Sequence, residues 1–280
     1  MTAPGTSALF AECELTATQF ARITRLLHDH AGIRMREGKE GLVRARLTKR
    51  LRKLGLPDFD AYLTFVEQEP SRQEFAEMID ALTTNKTSFL REATHFDFLR
   101  DAVFPHLDGP VRIWSAGCSS GEEPYTLAMV LGEALPEPEA ARVRLLASDL
   151  STKVLATGRA GVYKLERLRD VDPALLRKYF EKGLGAQEGL ARVKAHVRQR
   201  IRFEQLNLLE IGDLGTRFSV IFCRNVMIYF DRPVQQRVVS MLERHLLPGG
   251  YLFISHSESL NGISHDLRWM APAVYRRRDA

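Results

Sequence analysis

The stretch Ile113–Ala128, IWSAGCSSGEEPYTLA, reads as a strand, a glycine-bounded turn from Gly117 to Gly121, and a helix. Such a turn usually cradles a nucleotide phosphate on free N–H groups at the helix start. Here the helix opens with Glu122 and Glu123, whose carboxylates would repel a phosphate. A nucleoside carrying a positive charge in place of a phosphate fits better. It still needs the close backbone approach of a glycine turn, and carboxylates can meet its cationic end by charge-assisted hydrogen bonds. S-adenosylmethionine is such a ligand. The alternative for either glutamate is that it only complements the helix dipole.

The following strand-like run, VRLLASDL, ends in Asp149, 32 residues after Gly117. An acid there can accept hydrogen bonds from ribose hydroxyls. Its competing role is to cap the helix-like LSTKVLATG. The glycine spacing does not match GxGxxG, which speaks against a nicotinamide dinucleotide. No His/Cys/Asp cluster shows metal-ligand spacing, so no metal is expected. Cys13, Cys118 and Cys223 form no CxxC pair. They point to a reducing compartment, with Cys118 and Cys223 as small buried residues.

These residues need a scaffold. The chain has 280 residues, 45% hydrophobic and 27% charged, with net charge +5, as expected of a globular protein with a mildly basic surface. No apolar run reaches the roughly 18–20 residues that cross a bilayer, and the start lacks a secretory pattern, so a cytoplasmic chain without membrane insertion is expected.

The first part is helical in rhythm. LTATQFARITRLLHDHAG has a Thr16 or Thr18 cap and an end near Gly32. KEGLVRARLTKRLRKLGLPDF is a second helix, AYLTFVEQEP a third, and SRQEFAEMIDALTT a fourth with Ser71 and Glu74 spaced as a capping box. After about residue 110, strand-like VRIWSA, VRLLAS, IRFEQL, FSVIFC and YLFIS alternate with helices, and several are apolar on both faces. The reading is an α/β doubly wound sheet, with AVYRRR as a final edge strand. About 50 residues between VRLLASDL and IRFEQL exceed a usual crossover and indicate a small inserted subdomain at about 160–200.

The stretches NKTSFLRE, WSAGCSSGEEPYTLA, LLASDLSTKVLATGRAGVY, FEQLNLL, IFCRNVMIYFD and SHSESL, in this order, resemble the chemotaxis receptor methyltransferases, the CheR family. The resemblance covers about residues 15–278. It implies a Rossmann-like class I methyltransferase fold with an N-terminal all-α domain (1–88, receptor docking) and a methyltransferase domain (89–280) carrying the inserted β subdomain. It implies methyl transfer from S-adenosylmethionine to glutamate side chains of methyl-accepting chemotaxis receptors, leaving S-adenosylhomocysteine. Carried over to matching positions, Asn85, Thr87, Arg91, Glu123, Asp149, Asn207, Leu208, Arg224 and Asn225 would contact the cofactor, and Arg91 and Tyr229 would flank the reacting methyl. Ser255 stands where the family usually has glycine and Ser120 where threonine is common, neither touching an assigned cofactor position.

Residues 44–53 carry Arg44, Arg46, Lys49, Arg50, Arg52 and Lys53 and no acid. Read alone they form a solvated basic face, and without interleaved aromatics a nucleic-acid role is not supported. The resemblance gives them receptor docking, and gives the insert a receptor C-terminal tail peptide. A monomer is expected. Met227, Ile228 and Phe230 read as core, and His256 and His265 as residues without an obvious partner. The competing functions are an S-adenosylmethionine enzyme with an RNA or small-molecule acceptor and a non-catalytic sensor.

Overall fold

The computed structural model describes residues 13–69, 73–83, 85–107, 111–136, 140 and 142–279. The chain divides into two compact units, Met1–Thr84 with Tyr229–Asp231, and Asn85–Ile228 with Arg232–Ala280. Asn85 and Thr87 thus belong with the second unit.

The first unit holds helices α1 (Ala17–Ala31), α2 (Glu40–Leu54), α3 (Phe59–Gln68) and α4 (Gln73–Leu82). Helix α1 starts on a full capping box: the Thr16 hydroxyl accepts from Gln19 N and the Gln19 side chain accepts from Thr16 N. Thr16, not Thr18, is therefore the cap. Helices α1 and α2 end on Gly32 and Gly55, both left-handed at φ 67°. Their buried stripes, Phe20, Ile23 and Leu27 on one and Val43, Leu47 and Leu51 on the other, follow helical spacing. Ser71 lies outside the described residues.

The second unit is built on a seven-stranded sheet of β1 (Arg112–Ala116), β2 (Arg144–Asp149), β6 (Ile201–Gln205), β7 (Phe218–Phe222), β8 (Leu246–Phe253), β9 (Leu267–Ala271) and β10 (Val274–Arg277). Their order is β6-β2-β1-β7-β8-β10-β9. The first five run parallel, and β10 lies antiparallel to both β8 and β9. The tail strand expected at the edge is therefore internal, and the edge is β9, whose exposed Arg268 and Trp269 hide it from any two-residue rhythm. In sheet-strand numbering the order is 3-2-1-4-5-7-6. It departs from the dinucleotide order 3-2-1-4-5-6 by this antiparallel pair.

Helices α5 (Ala93–Phe98), α6 (Glu122–Ala134), α7 (Thr152–Ala160) and α10 (Arg232–His245) belong to the same unit. All five residues of β7 are buried, as a strand covered on both faces requires. Phe222 and Phe253 stack at 4.4 Å and Phe96 joins Phe222 at 5.8 Å. Each such fully buried ring contributes about 1.5–3 kcal/mol. Between β2 and β6 lies a separate three-stranded antiparallel sheet of β3 (Val162–Lys164), β4 (Phe180–Lys182) and β5 (Leu190–Val193), ordered β3-β5-β4, with α8 (Pro173–Tyr179) and the short α9 (Ala195–Arg198). The Tyr163 hydroxyl donates to the Ser120 carbonyl at 2.7 Å, tying this insert to the glycine turn. No described helix is long and apolar enough to cross a membrane.

Candidate functional site

The parallel strands β2, β1 and β7 all end on one side of the sheet, where the chain order switches direction about β1. That edge is where open α/β sheets bind ligands. Gly117 (φ 83°) follows β1, and a side chain there would meet Val226 Cγ2 at 2.3 Å, so only glycine fits. Gly121 (φ 95°) opens α6.

Four of the five amides in the turn Gly117–Gly121 have acceptors within the protein. Gly117 N and Cys118 N both donate to the Ser148 carbonyl at 2.8 Å, Gly121 N donates to Cys118 O, and Ser119 N donates to Asp149 Oδ2 at 2.8 Å. Asp149 also accepts from Ser151 N at 3.0 Å through Oδ1. It does not cap α7, because the Ser151 hydroxyl takes that role by accepting from Val154 N.

Adjacent on α6, the two glutamates have different fates. Glu122 is fully buried, accepts from the Ser120 hydroxyl at 2.7 Å and pairs with Arg167. Burial pushes its carboxyl up, against the Ser120 bond and the Arg167 charge. It belongs to the packing of the turn. Glu123 accepts from the Ser115 hydroxyl at 2.7 Å and lies 3.2 Å from Arg224 Nη1. Burial also pushes this carboxyl up, opposed by Arg224 and Ser115.

Arg224, just past β7, is the hub. It lies over the Phe96 and Phe222 rings, and its Nη2 donates to the Arg91 carbonyl and sits 3.1 Å from Glu92 Oε2. The Arg91 guanidinium donates to the Lys86 carbonyl at 3.0 Å, and the Ser119 hydroxyl donates to the Asn85 carbonyl at 3.0 Å. These bonds seat the 85–92 segment on the turn. Asn225, at φ 59°, donates its N–H to Glu258 Oε2 at 3.1 Å and its side-chain amide to Ser255 Oγ at 2.8 Å. Asn207 and Leu208 follow β6 at the same sheet edge, half-buried, with Asn207 Oδ1 accepting from Leu209 N. Asn85, Arg91, Glu123, Asp149, Arg224 and Asn225 are thereby linked through shared partners, and Thr87 lies in the same seated segment. Tyr229 ends the single 3₁₀ turn Met227–Tyr229 and groups with the helical unit, where its carbonyl accepts from Arg34 N.

Several sequence expectations need correction. Ser255 is fully buried and does touch an assigned position: its hydroxyl donates to Glu92 Oε1 at 2.8 Å while accepting from Asn225. Ile228 is 43% exposed, so of the three residues read as core Met227 alone is fully buried. His256 has partners, Glu92 Oε2 at 3.5 Å and the His95 ring at 4.5 Å. With His95 these form the group Glu92, His95 and His256, a cluster that spacing along the chain did not show. Burial above all, then the Arg224 charge, pushes the His95 imidazole down to about 4, against the opposing pull of Glu92. Glu92 is itself pushed up by burial, but the Ser255 bond and the Arg224 charge outweigh this and hold its carboxyl below the ordinary value.

Glu258 is a site residue the sequence reading passed over. It accepts backbone N–H groups from Asn225, Ile228 (3.2 Å) and Ser255 (2.8 Å), so it shapes both loops. Its only signal was its place in SHSESL.

The basic helix α2 also divides. The Arg50 fork bonds Glu74 at 2.9 and 2.6 Å and Glu77 at 2.7 Å, and Arg46 Nη1 donates to the carbonyls of Ala81 and Leu82 at the end of α4 and of Thr83 just past it. These two hold the helical unit together and are not free for docking. Arg44, Lys49, Arg52 and Lys53 are exposed.

The donor set fits an adenosine ligand with a cationic, amino-acid-like substituent: an acid at the end of the second strand, a second acid and an arginine at the turn, and side-chain amides at the strand ends. Fold and site together define an S-adenosylmethionine-dependent methyltransferase. Residues 85–275 match the CheR methyltransferase, SAM binding domain, and residues 18–83 the CheR methyltransferase, all-alpha domain. The chain is 42% identical over 262 residues to the chemotaxis protein methyltransferase of Klebsiella aerogenes, covering 93% of this chain and 90% of the relative. It is 42% identical over 267 residues to chemotaxis protein methyltransferase 2 of Pseudomonas aeruginosa, covering 94% of each. Among solved structures, the glycopeptide N-methyltransferase MtfA complexed with S-adenosylmethionine matches at 18% identity and TM-score 0.39, over 69% of this chain and 68% of that one, a distant likeness that carries none of the assignment. The chain belongs to the CheR methyltransferase family.

Proposed function

We propose that this enzyme methylates glutamate side chains in the cytoplasmic domains of methyl-accepting chemotaxis receptors, giving glutamyl methyl esters. The observation that carries the reading is the pair of acids, Asp149 and Glu123, at the rim of the glycine turn. When bound, S-adenosylmethionine supplies a methyl group activated by a sulfonium. Asp149 would hold the ribose hydroxyls, Asn207 and Leu208 the base, and Glu123, Asn85, Thr87, Arg224 and Asn225 the amino-acid end.

The acceptor is ionised without help, since a free glutamate has a pKa of about 4.3. The site therefore needs no general base, only alignment and exclusion of water. Arg91, held by Lys86 O, steers the incoming carboxylate, and the Tyr229 hydroxyl fixes the reacting end. The exposed face of α2 with Arg44, Lys49, Arg52 and Lys53 suits the acidic helices of a receptor. The insert has β3 and β4 as outer strands, and Leu184, 85% exposed, follows β4. Such an edge suits an added strand from a receptor tail. On this reading the enzyme works as a cytoplasmic monomer.

The test is transfer of radiolabelled methyl from S-adenosylmethionine to purified receptor cytoplasmic fragments. The expected product releases its label in mild base, as an ester does. Label that resists base, or none transferred, would refute the glutamyl acceptor.

A further inference from the structure

Three metal-ligating side chains meet near the carboxyl ends of β7 and β8, beside Arg224. Glu92 and His95 lie one helical turn apart at the start of α5, and His256 comes from the loop after β8. We propose that Glu92, His95 and His256 form a binding site for zinc or a divalent metal of similar ligand preference.

The geometry supports it. Donor atoms about 2.0–2.1 Å from a tetrahedral ion lie about 3.3–3.4 Å from one another. Glu92 Oε2 is 3.4 Å from His95 Nδ1 and 3.5 Å from His256 Nδ1, and the three donors lie within 4.8 Å of one another. Closing the remaining edge needs only a swing of the His256 ring, which is 42% exposed.

The second observation is the state of the buried members. His95 is 1% exposed, yet no hydrogen bond of good geometry reaches its Nδ1, while Glu92 Oε2 is held by the Arg224 ion pair at 3.1 Å. Buried polar atoms without partners are uncommon and call for a ligand, ion or water. Two imidazoles and one carboxylate are the donor set of catalytic-type zinc sites, which leave the fourth position open.

Arg224 is the opposing charge, 3.1 Å from Glu92 Oε2. Its guanidinium is shared with Glu123 and the Arg91 carbonyl, so two carboxylates face one cation at this end of the site. The other Glu92 oxygen is fixed by the Ser255 hydroxyl, which orients the carboxylate as outer partners of metal ligands do. Magnesium would not suit two imidazoles, whereas zinc does.

The experiment uses the full chain without an affinity tag and with Cys13→Ser, which removes the one cysteine that is not buried. Equilibrium dialysis against zinc is expected to retain one ion per chain, and dialysis against magnesium none. His256→Ala should lower zinc affinity at least about tenfold, since losing a ligand costs no less than losing an outer partner. His265→Ala, with its ring on the Leu267 amide, should change nothing. Cobalt in place of zinc should give the intense visible absorption of a four-coordinate centre, lost in His256→Ala. No stoichiometric zinc, or zinc retained equally by His256→Ala, overturns the site. His256 is exposed, so its replacement leaves the fold intact, and circular dichroism checks this.

Discussion

Glu258→Gln is the sharpest test of how the donor-binding loops are held. The Glu258 carboxylate receives Asn225 N at 3.1 Å and Ser255 N at 2.8 Å on Oε2, and Ile228 N at 3.2 Å on Oε1. It thereby fixes Asn225 at φ 59°, a conformation few residues hold without support. Glutamine keeps the shape but has one acceptor. In its best orientation the amide oxygen serves Asn225 and Ser255, and its NH₂ faces the Ile228 N–H. The donor of the part-exposed Ile228 then loses its acceptor, at about 1 kcal/mol, and the two remaining bonds lose their charge assistance, at about 1 kcal/mol more. Against this, burial pushes the Glu258 carboxyl up, so replacement recovers part of a desolvation cost. The net loss is about 2 kcal/mol, which lowers the melting temperature by about 4–8 °C in a domain of this size. Asn225 and Arg224 are adjacent, so affinity for S-adenosylhomocysteine should fall about tenfold or more, where each 1.4 kcal/mol is a factor of ten. Scanning fluorimetry and calorimetry read the two effects. Wild-type melting with wild-type affinity would refute the account of these loops.

Arg50→Ala should destabilise the helical unit by about 3–5 kcal/mol, because it strands the buried Glu74 carboxylate, whose side chain is 6% exposed; denaturant unfolding of the full chain measures this. In contrast, Arg44→Glu with Lys49→Glu should leave stability and S-adenosylhomocysteine affinity unchanged while raising KM for receptor fragments, and the wild-type KM should itself rise with salt. Tyr229→Phe should lower kcat roughly 10²-fold through misalignment while cofactor affinity holds; steady-state kinetics with calorimetry separate the two. His28 bonds Asp231 at 2.9 Å and Asp29 at 3.5 Å, and the Asp231 bond above all raises its pKa over the ordinary 6.5. A raised imidazole stabilises fully below 6.5 and loses that contribution as pH rises through its folded value, so an NMR titration should place His28 above 6.5 and Asp231→Asn should bring it back.

Which parts of this enzyme were readable from its residues follows from how far apart the cooperating groups lie along the chain. Strands β1, β2 and β7 were plain because burial on both faces leaves largely apolar runs, and the insert was plain because no crossover needs about 50 residues. Strand β9 was lost because Leu267–Ala271 alternates poorly, and with it the true place of β10. The glycine turn and its acids were visible locally, but which glutamate serves the ligand was not. Glu122 and Glu123 are neighbours about 100° apart around one helix. What separates them is Arg167 of the insert on one side and Arg224, 101 residues on, at the other. The same holds for Arg46 and Arg50. Charge counting cannot distinguish a cation that a receptor meets from one already matched by Glu74 or by the end of α4. Glu92 and His256 are the extreme case, 3.5 Å apart in space and far apart in sequence. A local window reads a side chain's chemistry; only the parallel pairing of β7 and β8, which brings their carboxyl ends together, decides whether that chemistry faces a ligand or another residue.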